Sequence, residues 1–237
     1  MVTSILPLRL ENVTVEKKGI KLIDGLNYEF PSKGITFIIG GNGVGKTTLL
    51  RLIHQLEQPS QGRMIYNRPM DQIKPHSAFV FQSPILLYRS VYENLKLPLK
   101  QNNIAIGEIQ KSIEITAKKF KIDHLLQLQA HDLSGGQKQK VAIARAWIAK
   151  PQLLSLDEPC ANLDAKSVMA IEKMILEISQ HIKIIMTSHD IRQAKRLADH
   201  ILLLDKGKQI AAASKNVFFR DHKTLLAHNL INGDIIC

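Results

Sequence analysis

Cysteine is scarce in this chain: 237 residues hold only Cys160 and Cys237. Two thiols cannot frame a disulfide-stapled fold, which points to a reducing compartment. Aromatic residues make up 5% of the chain, which argues against single-strand nucleic-acid binding by base stacking. No apolar run approaches the roughly 18 residues that span a bilayer, so a membrane-embedded protein is not expected. The stretch Met1–Leu10 is apolar only over Ile5–Leu8 and has no basic leader, so a cleaved secretory signal is not expected either. Acidic residues are outnumbered, with 21 Asp and Glu against 32 Lys and Arg and a net charge of +11. That excess suits an acidic partner, and nucleic acid, an anionic membrane surface and a nucleotide all qualify. Its like-charge clusters are short (Lys17-Lys18, and Lys118-Lys119 with Lys121) and read as solvated faces. What is present is a 45% hydrophobic composition, enough for a core without staples, in one large domain or two joined lobes.

Three short apolar runs end in polar or glycine-rich turns: Ile35–Ile39, Leu153–Leu156 and Ile182–Met186. Unbroken runs of this length read as strands buried on both faces, the pattern of a parallel sheet. Helical spacing lies between them, at Leu49, Leu52, Ile53 and Leu56, and at Val168, Ile171, Ile175 and Ile178. Alternating strands and helices predict an α/β fold with a mostly parallel sheet. The stretch from Pro84 to about residue 150 differs. Ile109, Ile113, Ala117 and Phe120 mark an amphipathic helix, and Asp123 is placed to cap a second one through Leu125, Leu126 and Leu128. This stretch is expected to form an inserted helical subdomain. At the front, Leu8–Val15 and Ile20–Phe30 predict strands joined by a turn at Lys17-Lys18-Gly19, and another hairpin is expected around Gly62–Arg68.

The sharpest chemical signal is Gly40-Gly41-Asn42-Gly43-Val44-Gly45-Lys46-Thr47-Thr48. It matches the phosphate-loop pattern and sits between a predicted strand and a predicted helix, where its mechanism requires it. Glycines let backbone N–H groups turn in around phosphate oxygens, and the helix N-terminus adds its positive end. Lys46 is then expected on the β- and γ-phosphates, with the Thr47 hydroxyl on Mg²⁺. The second signal is the apolar strand ending in Asp157-Glu158-Pro159. Adjacent carboxylates at a strand end are costly unless they meet a cation or a reacting water. Asp157 is the candidate for Mg²⁺ and Glu158 for the water that attacks the γ-phosphate. A third element, Leu133-Ser134-Gly135-Gly136-Gln137, opens a helical run over Val141–Ala149. It forms a second potential anion grip, far from the first loop in sequence, so a second subunit is a candidate to supply it.

With these motifs the chain resembles the ATP-binding subunit of an ABC (ATP-binding cassette) transporter over nearly its whole length. The motifs come in the family's order: the phosphate loop, Phe81-Gln82-Ser83-Pro84, the signature Leu133–Gln137, Asp157-Glu158-Pro159, Ala161-Asn162-Leu163-Asp164, and Thr187-Ser188-His189-Asp190. The resemblance implies a P-loop NTPase fold over residues 1–237, with an N-terminal antiparallel β subdomain and a helical subdomain near 84–150. It implies ATP and Mg²⁺ as cofactors. Gln82 would contact Mg²⁺ or the attacking water, and His189 would contact the γ-phosphate and hold Glu158. Asp164 would lie between two cassettes stacked head to tail, so that Ser134, Gly135, Gly136 and Gln137 of one copy grip the nucleotide held by Lys46 of the other. The implied partners are a second ATP-binding subunit, separate permease subunits and an extracytoplasmic substrate-binding protein. No nucleic acid is expected among them, and the location implied is peripheral, on the cytoplasmic face of the cell membrane.

Some positions depart from the family's pattern. The stretch Val15-Glu16-Lys17-Lys18 lacks the aromatic that usually stacks on adenine, Gly41 stands where proline or serine is common, and Lys140 replaces the usual arginine after the signature. The apolar Pro84-Ile85-Leu86-Leu87, with the following Tyr88–Leu99, is the candidate lining for permease docking. The stretch Val80–Val91 resembles that of tungstate-type oxyanion importers. A soluble ABC-type ATPase, for example in iron–sulfur assembly, is the alternative reading. About 90 residues without sustained heptads separate the phosphate loop from the signature, which disfavours the DNA-repair type with its long coiled coil.

Overall fold

The computed structural model describes residues 4–67, 76–100 and 105–220. Strands β1 (Leu8–Lys17) and β2 (Ile20–Phe30) form an antiparallel pair, and β4 (Gln61–Tyr66) joins β1 on its other side. The turn between β1 and β2 falls where expected, with Lys18 and Gly19 both at positive φ. Residues 62–67 do not pair with each other as a local hairpin. Gly62 opens a strand that pairs with the distant β1, and a Cβ there would stand 2.2 Å from the Asn12 carbonyl oxygen. The glycine therefore marks a close backbone approach rather than a tight turn. Arg68 lies outside the described residues.

The central sheet contains β3 (Ile35–Ile39), β5 (Ser77–Val80), β6 (Leu153–Leu156), β7 (Lys183–Ser188), β8 (His200–Asp205) and β9 (Lys208–Ser214), in the order β5-β6-β7-β3-β8-β9. All neighbours are parallel except β8 and β9. Its strands are apolar at successive positions because each face has its own cover. Ile35, Phe37, Ile39, Leu154, Leu156, Ile184 and Met186 share one core with helices from later in the chain. Ile38, Leu153 and Ile185 face the other way, into a core shared with the antiparallel sheet and α1 (Lys46–Ile53). Helix α1 is shorter than the spacing predicted. His54 ends it and Gln55 turns to positive φ, leaving Leu56 54% exposed.

Helices α2 (Val91–Lys100), α3 (Ile106–Lys119) and α4 (Gly135–Ile148) pack on one another and share the first of these cores. The second helix expected after Asp123 is absent. Asp123–Leu125 is a single 3₁₀ turn without a side-chain cap. Its continuation is held elsewhere: the Leu126 and Leu128 carbonyls accept the amides of Tyr92 and Val91 at the start of α2, which cap that helix instead of extending a new one. Helices α5 (Ala165–Ser179), α6 (Ile191–Leu197) and α7 (Lys215–Arg220) complete the fold. None of the described helices is long and apolar enough to cross a membrane.

Strand β7 begins one residue later than its apolar run, at a lysine. Lys183 is 1% exposed, and its ammonium donates to the Thr36 hydroxyl at 2.7 Å and the Lys33 carbonyl at 3.0 Å. Burial outweighs the attraction of Asp199 and pulls its pKa from 10.5 to about 7. The unfolded chain therefore holds this proton over an interval in which the folded chain has lost it. Stability should rise with pH from about 7 toward 10.5. Urea denaturation at stepped pH should show that rise, and Lys183→Met should flatten it. A native profile already flat between pH 7 and 9 would contradict the buried-lysine account.

Candidate functional site

Every carboxyl end of the parallel strands β3, β5, β6 and β7 leads into a predicted site residue. β3 runs into Gly40, β5 toward Gln82, β6 into Asp157-Glu158, and the last residue of β7 precedes His189. A sheet buried on both faces can carry polar chemistry only where its strands end, and parallel strands all end on the same side.

The phosphate loop winds tightly from β3 into α1. Gly40 and Gly45 lie at positive φ, where an added Cβ would meet the Leu204 carbonyl oxygen at 2.3 Å and that of Leu22 at 2.4 Å. No other residue type fits this path without displacing a neighbouring strand. Lys46, Thr47 and Thr48 form the first turn of α1, whose leading amides have no intrahelical acceptor. The Lys46 ammonium is nearly buried and donates to the Gly40 and Gly41 carbonyls at 2.9 and 2.8 Å. A Glu158 carboxylate oxygen lies 3.5 Å from it.

Beside the loop the predicted metal and water residues form one chain of contacts. The Thr47 hydroxyl donates to one oxygen of Asp157 at 2.8 Å, and the Thr187 hydroxyl donates to the other at 2.7 Å. Thr187 also accepts the Glu158 amide at 2.9 Å. Glu158 meets His189 Nδ1 at 3.0 Å through its second carboxylate oxygen. It sits at φ 42, a region few non-glycine residues occupy and one often reserved for functional turns. Leu22, Asn42, Gly43, Gly45, Thr47, Gln82 and Glu158 line a cavity of about 350 Å³ with Lys46 as part of its wall.

These residues fit a nucleotide with its metal. The glycine path leaves a cradle that a Cβ would fill, and the Thr47 hydroxyl and Asp157 carboxylate supply hard oxygen donors side by side. Mg²⁺ is commonly held by one or two protein oxygens together with substrate phosphates.

Other predicted residues stand apart from this cavity. Ser134 caps α4: its hydroxyl accepts the Gln137 amide at 3.3 Å and its own amide donates to the Gln137 side chain at 2.9 Å. Gly136 faces α5, where a Cβ would lie 2.2 Å from the Ser167 hydroxyl, and Gly135 faces Leu163. Asp164 caps α5, and Ser167 holds its carboxyl below the usual carboxylate range by donating to it from hydroxyl and amide. Ser134, Gly135, Gly136, Gln137 and Asp164 thus share one neighbourhood, and none of them lines the cavity containing Lys46. Cys160 is partly buried, and burial raises its thiol to about 11, so it packs beside the turn as an unreactive thiol rather than a nucleophile. Lys140 donates to the Lys121 carbonyl rather than to a carboxylate.

Thr187 was legible only as one letter of Thr187-Ser188-His189-Asp190; its link between Asp157 and Glu158 is a product of the fold. Leu22 carried no signal, because a strand leucine reads as core. A second cavity, of about 400 Å³ and mainly apolar, opens beside the segment after Gln82 and includes Phe79, Phe81, Ile85, Leu87, Leu97 and Ala146. Ile85 is 66% exposed and Tyr88 82%, with Tyr88 stacked on His131.

Residues 23–161 match the model of a family described as ABC transporter. The chain is 37% identical over 204 residues to the tungstate uptake system ATP-binding protein TupC of Peptoclostridium acidaminophilum, covering 85% of this chain and 95% of that one. It is 31% identical over 242 residues to the methionine import ATP-binding protein MetN of Histophilus somni, covering 95% of this chain and 70% of that one. Among solved structures, cbiO1 from Clostridium perfringens, part of the ABC transporter complex cbiONQ, superposes with a TM-score of 0.84 at 30% identity, over 96% of this chain and 95% of that one.

The Thr187 hydroxyl is buried and bonded on both sides, so Thr187→Val should cost about 1–3 kcal/mol by leaving Asp157 and the Glu158 amide short of partners. Chemical denaturation measures this, with Thr187→Ser expected near the native value. Equal stability of the valine variant would show that the two bonds contribute nothing net.

Proposed function

Because the chain belongs to the ABC transporter family as an ATP-binding subunit, we propose that it powers uptake of a small oxyanion, tungstate or a close analogue, through separate permease subunits. It is an ATPase that works with ATP and Mg²⁺. The reading of its site rests on one observation: loop lysine, metal-type oxygens, paired carboxylate and histidine form a continuous run of contacts around one cavity.

In this reading the amides of Gly41–Thr48 and the Lys46 ammonium hold the β- and γ-phosphates. Thr47 and Asp157 hold Mg²⁺, which when bound neutralises charge on the phosphate oxygens. Glu158 orients and polarises the water that adds to the γ-phosphorus as the bond to ADP breaks. His189 holds the far oxygen of Glu158 and contacts the γ-phosphate, and Gln82 reports the filled site to the permease side. The Ser134–Gln137 helix start and Asp164 lie outside the Lys46 cavity. They serve the nucleotide of a second copy, in a head-to-tail homodimer.

The apolar cavity beside Ile85 and Leu87 receives a permease segment, since its walls continue directly into Gln82. The subunit sits peripherally on the cytoplasmic face of the membrane, and an extracytoplasmic binding protein selects the cargo. The oxyanion assignment draws on the tungstate relative, the one of the two curated relatives above with the higher identity.

Glu158→Gln should retain ATP binding, lower turnover by at least about 10²-fold, and shift the protein to a dimer on gel filtration in Mg²⁺ and ATP. Normal turnover would remove Glu158 from its role. For transport, the subunit purified from its native membrane should bring a polytopic membrane protein with it. ATPase activity of that complex, reconstituted with the binding protein, should rise with tungstate and not with methionine. Isolation as a free soluble complex would favour the iron–sulfur type instead, and stimulation by methionine would reassign the cargo.

A further inference from the structure

Three side chains that none of the sequence motifs contains form a polar knot behind the Glu158–His189 pair, two of them buried. Glu172, two turns into α5, is nine-tenths buried. It accepts the Gln193 side-chain amide at 3.1 Å, Arg196 Nε at 3.1 Å and Arg196 Nη2 at 2.6 Å. Gln193, 3% exposed, lines one cavity with Cys160, two residues beyond Glu158. Helix α6 is thereby tied to α5 and packs beside the turn that carries Glu158.

That cavity, of about 190 Å³, also has Glu158, Ser188 and His189 in its wall, so Gln193 reaches from the knot to the space beside the Glu158–His189 pair. His189 lies two residues before α6. Its side chain is 61% exposed, and its contact with Glu158 is the one polar bond recorded for it among the described residues. The position of its ring therefore depends on where α6 holds the backbone. Asp190, between them, caps α6 by accepting the Arg192 amide at 2.8 Å, so a rotation of α6 carries residue 189 with it.

Apolar packing alone fixes that rotation weakly. Helix α6 has seven residues and buries only Ala194 and Leu197 besides Gln193. An ion pair with one half-exposed partner adds little net stability. What it supplies here is a single arrangement: the Arg196 fork reads both oxygens of Glu172, and the Gln193 amide sets the axial level.

We propose that Glu172, Gln193 and Arg196 are positioning residues for hydrolysis, which lock α6 so that His189 meets Glu158. The proposal rests on the catalytic reading of Glu158 and His189 given above.

The test uses the purified full chain with Mg²⁺ and ATP. Gln193→Leu and Arg196→Lys should each lower kcat by about 10–100-fold, the scale on which misplacing a catalytic group acts. KM for ATP should stay within about twofold, because neither residue touches the phosphate loop. Arg196 is half exposed, so its conservative variant folds even where a buried leucine is not tolerated. In a His189→Ala background, single-turnover rates should show no further loss from either change. Unchanged kcat, a parallel rise in KM, or losses that multiply with His189→Ala would each overturn the positioning role. Should Glu158→Gln turn over normally, the catalytic reading itself falls. If Glu158→Gln is inactive and the knot variants are normal, only this inference falls.

Discussion

Burial of both faces of the central sheet is the constraint from which the remaining architecture follows. A parallel strand covered on each side has little room for a polar side chain along its length and none for a charged one facing water, so polar chemistry gathers at its ends. Here one face packs on the antiparallel sheet and α1, and the other on the later helices. Four parallel strands thus deliver their first polar residues to one rim. The opposite rim shows the cost of breaking the rule. Lys183, at the amino end of β7, loses much of its basicity to burial despite two hydrogen bonds.

At the active rim the difficulty is one of like charge. Asp157 is buried, Glu158 is nearly so, and they are neighbours in sequence. The structure separates their tasks by bonding them differently. Asp157 has hydroxyls on both oxygens, from Thr47 and Thr187, which fixes its orientation without neutralising it. Glu158 faces charged or chargeable partners instead, Lys46 on one oxygen and His189 on the other. Thr187 sets the spacing between them, since one hydroxyl serves the Asp157 carboxylate and the Glu158 amide together. The positive φ of Glu158 turns its side chain off the line of β6 and toward the cavity.

The parts legible in the sequence are those whose physics is local. Short runs dominated by Ile and Leu gave away β3 and β6, each broken by one buried hydroxyl residue, because double-sided burial writes itself into consecutive positions. The phosphate loop was legible because only glycine follows its path, as the close approaches to Leu22 and Leu204 show. Features settled by distant partners were not legible. Leu125, Leu126 and Leu128 have helical spacing, yet the last two give their carbonyls to the start of α2, far back in the chain. Gly62 read as a turn because a glycine gives the same signal for a turn and for a strand pressed against another. Lys183 drew no notice inside the Ile182–Met186 run, and Glu172, Gln193 and Arg196 belong to no motif. In each case the deciding contact lies across the fold.

The signature helix and the turn after Glu158 belong to one rigid neighbourhood, and this bears on how two sites would communicate. Gly136 has no side chain because the Ser167 hydroxyl occupies that space, and Ser167 is itself held by Asp164. Ser134 and Gln137 satisfy one another in a closed capping box, so the start of α4 is rigid before any nucleotide arrives. In the proposed head-to-tail pair, that helix start grips the partner's nucleotide while the Asp164 turn continues into the chain's own Glu158. A displacement of α4 by the partner's nucleotide is then passed through Ser167 and Asp164 to α5, and from Glu172 to α6 and His189. Steric contact carries the first step and the Glu172–Arg196 ion pair the last. In such a pair, hydrolysis at one site would respond to occupancy of the other through these direct contacts.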